Sequence, residues 1–93
     1  MTNEILPKGY GYCYQNDVIR IAREMKSKVY LDKTPEGKLF VIVEHVFIKI
    51  KSYAHKPIQG IGITLEDACE DYMRQARGLT LIHVLTDKEG TYV

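Results

Sequence analysis

The sequence predicts a small α+β domain, an antiparallel sheet of three to four strands carrying two helices, in the order α-β-β-β-α-β. Three observations lead there. Two segments place apolar residues at helical spacing, and a Thr34-Pro35-Glu36-Gly37 turn separates two runs rich in strand formers. The composition, 45% hydrophobic and 27% charged over 93 residues, is the balance of a chain that buries one core. One domain is expected over 1–93, with its ordered core from about residue 10 to 86. With Gly at 7, Pro at 3 and Cys at 2, disorder, collagen-like repeats and a disulfide scaffold are excluded.

The first element is a helix. Asn16 or Asp17 offers a capping oxygen, and Val18, Ile19, Ala22 and Met25 recur on one face, with Arg20, Arg23 and Glu24 off it. Val29-Tyr30-Leu31 then reads as a strand, and the turn after it places Pro35 where φ is fixed and Gly37 where a left-handed residue closes a three-residue hairpin loop. Leu39 to Val43 is apolar on both parities, as in a strand covered on both faces. Glu44-His45 interrupts it before Val46 to Lys51 resumes, so either one bent strand or two pairing segments fits, the second being favoured. In that second segment Val46, Ile48 and Ile50 point one way, leaving Phe47, Lys49, Lys51 and Tyr53 on the other.

Residues 54–60 read as a loop, and Thr64 then caps a helix with Asp67 three residues on. Leu65, Ala68, Cys69, Tyr72, Met73 and Ala76 form its core stripe, acids sit in the first turn, Arg74 and Arg77 in the last, and Gly78 follows. Leu79 to Leu85 alternates as a final strand, with Leu79, Leu81, His83 and Leu85 on one face, and Asp87-Lys88-Glu89-Gly90 closes the domain as a turn.

No stretch approaches the roughly 20 apolar residues that span a bilayer. The N-terminus lacks the basic opening and apolar run of a secretory signal. The expectation is a cytoplasmic protein with no membrane partner, in which Cys13 and Cys69 are reduced, buried thiols.

Chemistry has few footholds. Cys69 falls on the buried helix stripe and Cys13 lies between tyrosines, so neither is placed as an activated nucleophile. His45, His55, His83 and the two cysteines lack the short-spaced pairs of zinc sites. Glu66, Asp67, Glu70 and Asp71 read as a solvated helix face, and Gly60-Ile-Gly62 lacks the third glycine or lysine of a phosphate loop. The chain is therefore expected to use no metal, no cofactor and no catalytic residue.

Charge divides unevenly. Residues 18–56 carry nine Lys or Arg against four acids, and residues 57–93 carry three against six. Within the basic portion, Phe47, Lys49, Lys51 and Tyr53 form a cationic, aromatic strip, the leading candidate contact surface, with Arg20 and Arg23 as extensions. Tyr10, Tyr12 and Tyr14, of one parity, are a second candidate. A protein partner fits this pattern, and a nucleic acid stacking on the tyrosines is the alternative.

The α-β-β-β-α order is similar to that of double-stranded-RNA-binding domains, although Thr64-Leu-Glu-Asp stands where that family places lysines. From Val29 onward the β-β-β-α-β order, with Gly62-Ile-Thr-Leu-Glu-Asp-Ala68 opening the helix, resembles the HicB antitoxin class. The segment from Thr64 to Tyr72, running into Arg77-Gly-Leu-Thr-Leu-Ile82, resembles small accessory proteins of phages and mobile elements, including anti-CRISPR-type inhibitors. The last two resemblances imply a non-catalytic module that binds and inhibits a protein partner.

Overall fold

In a computed structural model that describes residues 14–92, the first helix, α1, spans Tyr14–Glu24 and buries Val18, Ile21 and Ala22, with Met25 just beyond it. Ile21 is fully buried and Ile19 only flanks the cluster, which corrects one position of the expected face. The helix also starts before Asn16 and Asp17. The Tyr14 amide donates to Glu66 Oε2 at 2.6 Å, so a carboxylate from the other helix does the work assigned to a local cap. At its end Lys26 adopts φ 55° and the Ser27 amide donates to the Ala22 carbonyl at 2.8 Å, a Schellman-type closure without glycine.

Strands β1 (Val29–Lys33) and β2 (Leu39–Val43) form the expected hairpin, with Lys33 opposite Leu39. The Gly37 amide donates to Thr34 O at 2.9 Å, the Thr34 amide to Lys38 O at 2.7 Å, and Gly37 holds φ 88° in open space. The chain then turns at Glu44-His45, with His45 at φ 64°, and β3 (Val46–Lys51) leaves β2 altogether. It pairs instead with β4 (Ala54–Lys56) on one side and, on the other, with β6 (Thr80–His83). The interruption at Glu44-His45 is thus a switch between two sheets.

Two short strands lie outside the sequence expectation in addition to β4. The first, β5 (Gly60–Gly62), completes a sheet ordered β1-β2-β5; the second, β7 (Glu89–Thr91), completes one ordered β4-β3-β6-β7. Both sheets are antiparallel. Three-residue strands carry too little periodicity to show in a sequence. Pairing therefore continues past residue 86, and Tyr92 is buried, its carbonyl accepting from the Gly78 amide at 2.7 Å.

Helix α2 (Leu65–Ala76) follows the predicted stripe through Ala68, Cys69, Tyr72, Met73 and Ala76, while Leu65 at its first turn is half-buried against the core. Thr64 Oγ1 accepts from the Asp67 amide at 3.1 Å, and Gly78 has φ 80° where the helix ends. Side chains from α1, α2 and both sheets share one hydrophobic cluster, with Val41 and Val43 from the first sheet and Val46, Ile48 and Leu81 from the second. The strand after α2 is shorter than expected. Leu79 and Leu85 fall outside it and are exposed, while Ile82, on the face away from the cluster, is buried because β6 is an inner strand between Phe47 and Glu89.

Candidate binding surface

On the face of β3 away from the core, Phe47 pairs across to Ile82 and Lys49 to His55. Phe47 and Lys49 are half-buried, and Lys49 Nζ meets Glu89 Oε2 at 2.5 Å. Lys49 is therefore already neutralised by β7. Between Lys49 and Lys51 the register with β4 slips, and Ile50, expected to point inward, is 57% exposed. The reason is physical: strict alternation ends at a bulge, which re-aims the residue it inserts. Beyond it Lys51 is exposed and Tyr53, at the hairpin tip, is 84% exposed. The predicted strip is thus exposed at Lys51 and Tyr53, half-buried at Phe47 and Lys49, and divided by the bulge, beyond which Lys51 pairs with Ala54 on the face opposite to His55.

Arg20 and Arg23 do not extend this surface. They lie on the outer side of α1, where Arg20 approaches Asp17 at 4.0 Å and covers the Tyr92 ring at 5.6 Å. Tyr92 is held by that contact and by Glu24. Burial, and then its hydrogen bond to Glu24, push its phenol up to about 12. Tyr14 is half-buried in the first turn of α1, with Arg77 over its ring at 5.9 Å, so it belongs to the helix pair and to no aromatic strand. Tyr10, Tyr12 and Cys13 lie outside the described residues.

Three of the four acids of α2 are engaged internally. Glu66 bonds Tyr14, Glu70 lies 3.6 Å from Arg74, and Asp71 takes the Ile61 amide at 2.9 Å and Arg74 at 3.2 Å. Gly60 and Gly62 are packing residues. A Cβ on Gly60 would stand 2.0 Å from the Ala68 carbonyl, and one on Gly62 would stand 2.6 Å from the Ala68 amide. Among the described residues no group of three or more His, Cys, Asp or Glu is placed to hold a metal ion, and no helix is long and apolar enough to cross a membrane.

The sheet switch creates a feature the sequence reading missed. An open groove of about 690 Å³ lies where the sheets diverge, lined by Ile42, Phe47, Pro57, Ile58, Gln59 and Gln75, together with the switch residues. At its rim Tyr30 donates to Glu44 Oε2 at 3.2 Å, which raises the Tyr30 phenol above its ordinary range, and His45 Nε2 lies 3.7 Å from the same carboxylate oxygen. The His45 ring is 5.5 Å from that of buried His83, whose Nδ1 accepts from the Leu85 amide at 3.3 Å. The signal available in the sequence was Glu44-His45 itself, a polar pair breaking an apolar run. No protein-family model, curated protein or solved structure matches the chain.

Proposed function

We propose that this chain is a non-catalytic binding module, a small phage or mobile-element accessory protein that occupies and inhibits a protein partner in the cytoplasm, in the manner of anti-CRISPR-type inhibitors or antitoxins. The observation that carries the reading is the β3–β4 hairpin. It presents Tyr53 at 84% exposure and Ile50 at 57%, beside exposed Lys51, His55 and Lys56, and it carries no acidic residue from Val46 to Lys56. Large apolar side chains held out on a short β-ribbon gain nothing for the fold and become anchors when a partner buries them. The polar clusters that would otherwise suggest chemistry hold helix ends and strand edges together, and the resemblances in α2 and the strand after it support the inhibitor assignment.

The test compares two substitutions. For a protein partner, binding energy concentrates in aromatic anchors, so Tyr53→Ala weakens binding by about 1–2 kcal/mol more than Lys49→Ala, with modest salt dependence. Affinity capture followed by titration of the retained protein reads this directly. A nucleic acid is the second reading, favoured by Lys51 and Lys56, which make no ion pair among the described residues. It requires micromolar binding to single-stranded DNA or RNA with a steep salt slope that drops by about one for each lysine removed. Such a slope, flattened by Lys51→Ala, would replace the protein-inhibitor reading.

A further inference from the structure

We propose that the outer face of the β1-β2-β5 sheet is a dimer interface, and that its occupant is a second copy of this chain related by a two-fold axis. Only one face of that sheet meets the hydrophobic cluster. Val41 and Val43 point into it with α1 and α2, while Phe40 and Ile42, of the opposite parity, stay half-buried outside it. The register carries that parity across the sheet: Tyr30 stands opposite Ile42, and Asp32, Phe40 and Ile61 form one row, in which Ile61 is 38% exposed. Tyr30 and Ile42 continue into the groove at the sheet switch. A strand that is apolar on both faces is the pattern of a sheet covered on both sides. This face is separate from the β3–β4 hairpin, which belongs to the other sheet.

Charge selects the occupant. Lys38 stands opposite Thr34 at the hairpin end, where its carbonyl accepts the Thr34 amide, so it is the next same-face position along β2 from Phe40. Asp32 and Lys38 are both exposed, and neither makes an ion pair among the described residues. One Asp32 oxygen accepts the Lys33 amide at 2.7 Å, an exposed bond. Asp32 lies about 5 Å to one side of Phe40, on the neighbouring strand, and Lys38 about 7 Å from it along β2. A two-fold axis lying in the face beside Phe40, between the two charges, exchanges them: Asp32 of each copy meets Lys38 of the other, Phe40 falls near its own counterpart, and Ile61 closes over the same centre. At the far end Glu44 stands opposite Lys28, whose carbonyl accepts its amide at 2.8 Å, so the charges balance there too. An apolar face whose acids and bases match one for one attracts neither an acidic nor a basic partner and is complementary to itself. Three short strands make a small face, which places the dimer among weak, reversible associations in the micromolar range.

Sedimentation of the purified full-length chain from about 10 µM to about 1 mM tests this. The expected result is a reversible monomer–dimer equilibrium that Phe40→Ala shifts to monomer. Because Phe40→Ala also removes packing within the sheet, charge reversals carry the decision. Asp32→Lys and Lys38→Asp, both at exposed positions, each set like charges against one another across the axis and should weaken the dimer about fivefold or more. Mixed one to one, the two variants restore both contacts, because the paired lysines of one chain meet the paired aspartates of the other. The mixture should associate about as tightly as the unaltered chain, a recovery that a merely structural role for either residue does not give. A monomer throughout the range, a dimer that the single reversals leave unchanged, or a mixture no stronger than its components would overturn the inference, and each leaves partner binding through Tyr53 standing.

Discussion

Helix α2 lies flat on β5, with Gly60 and Gly62 against its backbone, Asp71 bonded to the Ile61 amide and Gln75 Nε2 to the Gln59 carbonyl at 2.7 Å. The β3–β4 hairpin has the opposite character, with Tyr53 and Ile50 in solvent and one ion pair, Lys49 to Glu89, tying its outer face to the sheet. Each includes a three-residue edge strand, β5 in the first and β4 in the second. In the first, the two glycines and the polar groups of Asp71 and Gln75 are explained by internal geometry, including the blunting of an edge strand by side chains from a helix. In the second, the exposed apolar residues contribute little inside the chain. Composition does not separate the two regions. The destination of each polar group does.

The contrast breaks most readily at Gly60. Gly60→Val forces a side chain into the Ala68 carbonyl and the Tyr72 backbone, and chemical denaturation should show a loss of about 3 kcal/mol or more. An effect under about 1 kcal/mol would mean that the helix does not sit on the strand this closely. Alkali should act next. Tyr92 titrates near 12 in the fold, above the ordinary value of 10.0, so the unfolded chain releases its proton first and stability falls as pH rises through the interval from about 10 to 12. Burial pushes the Tyr72 phenol upward as well, in the same direction. Tyr92→Phe should shrink the alkaline loss, measured as the denaturation midpoint against pH.

Gly37→Val offers a clean counterpart to Gly60→Val, because a Cβ there meets nothing within 4 Å and only the positive φ resists it. A cost of about 1–2 kcal/mol is expected, with Glu36→Ala near zero. Tyr72→Phe goes the other way. The Tyr72 hydroxyl is buried and has no hydrogen-bond partner among the described residues, so its removal should leave stability unchanged or raise it by up to about 1 kcal/mol. Smallest of all are Tyr53→Ala and Lys49→Ala, each within about 0.5 kcal/mol in the isolated protein. A larger fall for Tyr53→Ala would make its side chain a structural one and erase the distinction between the two regions.

Much of the fold was legible. The α2 stripe, the Thr64 cap, the Gly37 turn and the left-handed Gly78 are local patterns, in which residues a few positions apart decide the outcome. The face of α1 was less so, since Ile19 and Ile21 fit the helical period almost equally well and only the neighbours choose between them. Of the candidate surface, Lys51 and Tyr53 were correctly placed in solvent. Ile50 was not, because a bulge cancels the alternation that placed it. Arg20 was assigned by its charge alone, and its actual neighbour, Tyr92, lies far away along the chain.

By itself the sequence determined the α+β class, the two helices and the hairpin turn, because helical spacing, capping and turn chemistry act over a few bonds and need no partner. The tertiary structure decided three things: that β3 abandons β2 for β6, that Glu66 closes the start of α1, and that two glycines serve a helix lying on a strand. Each depends on atoms distant in sequence coming within a few ångströms. The groove at the sheet switch is of the same kind. It exists because the chain passes from one sheet to another at His45, and its walls come from segments that no local pattern connects.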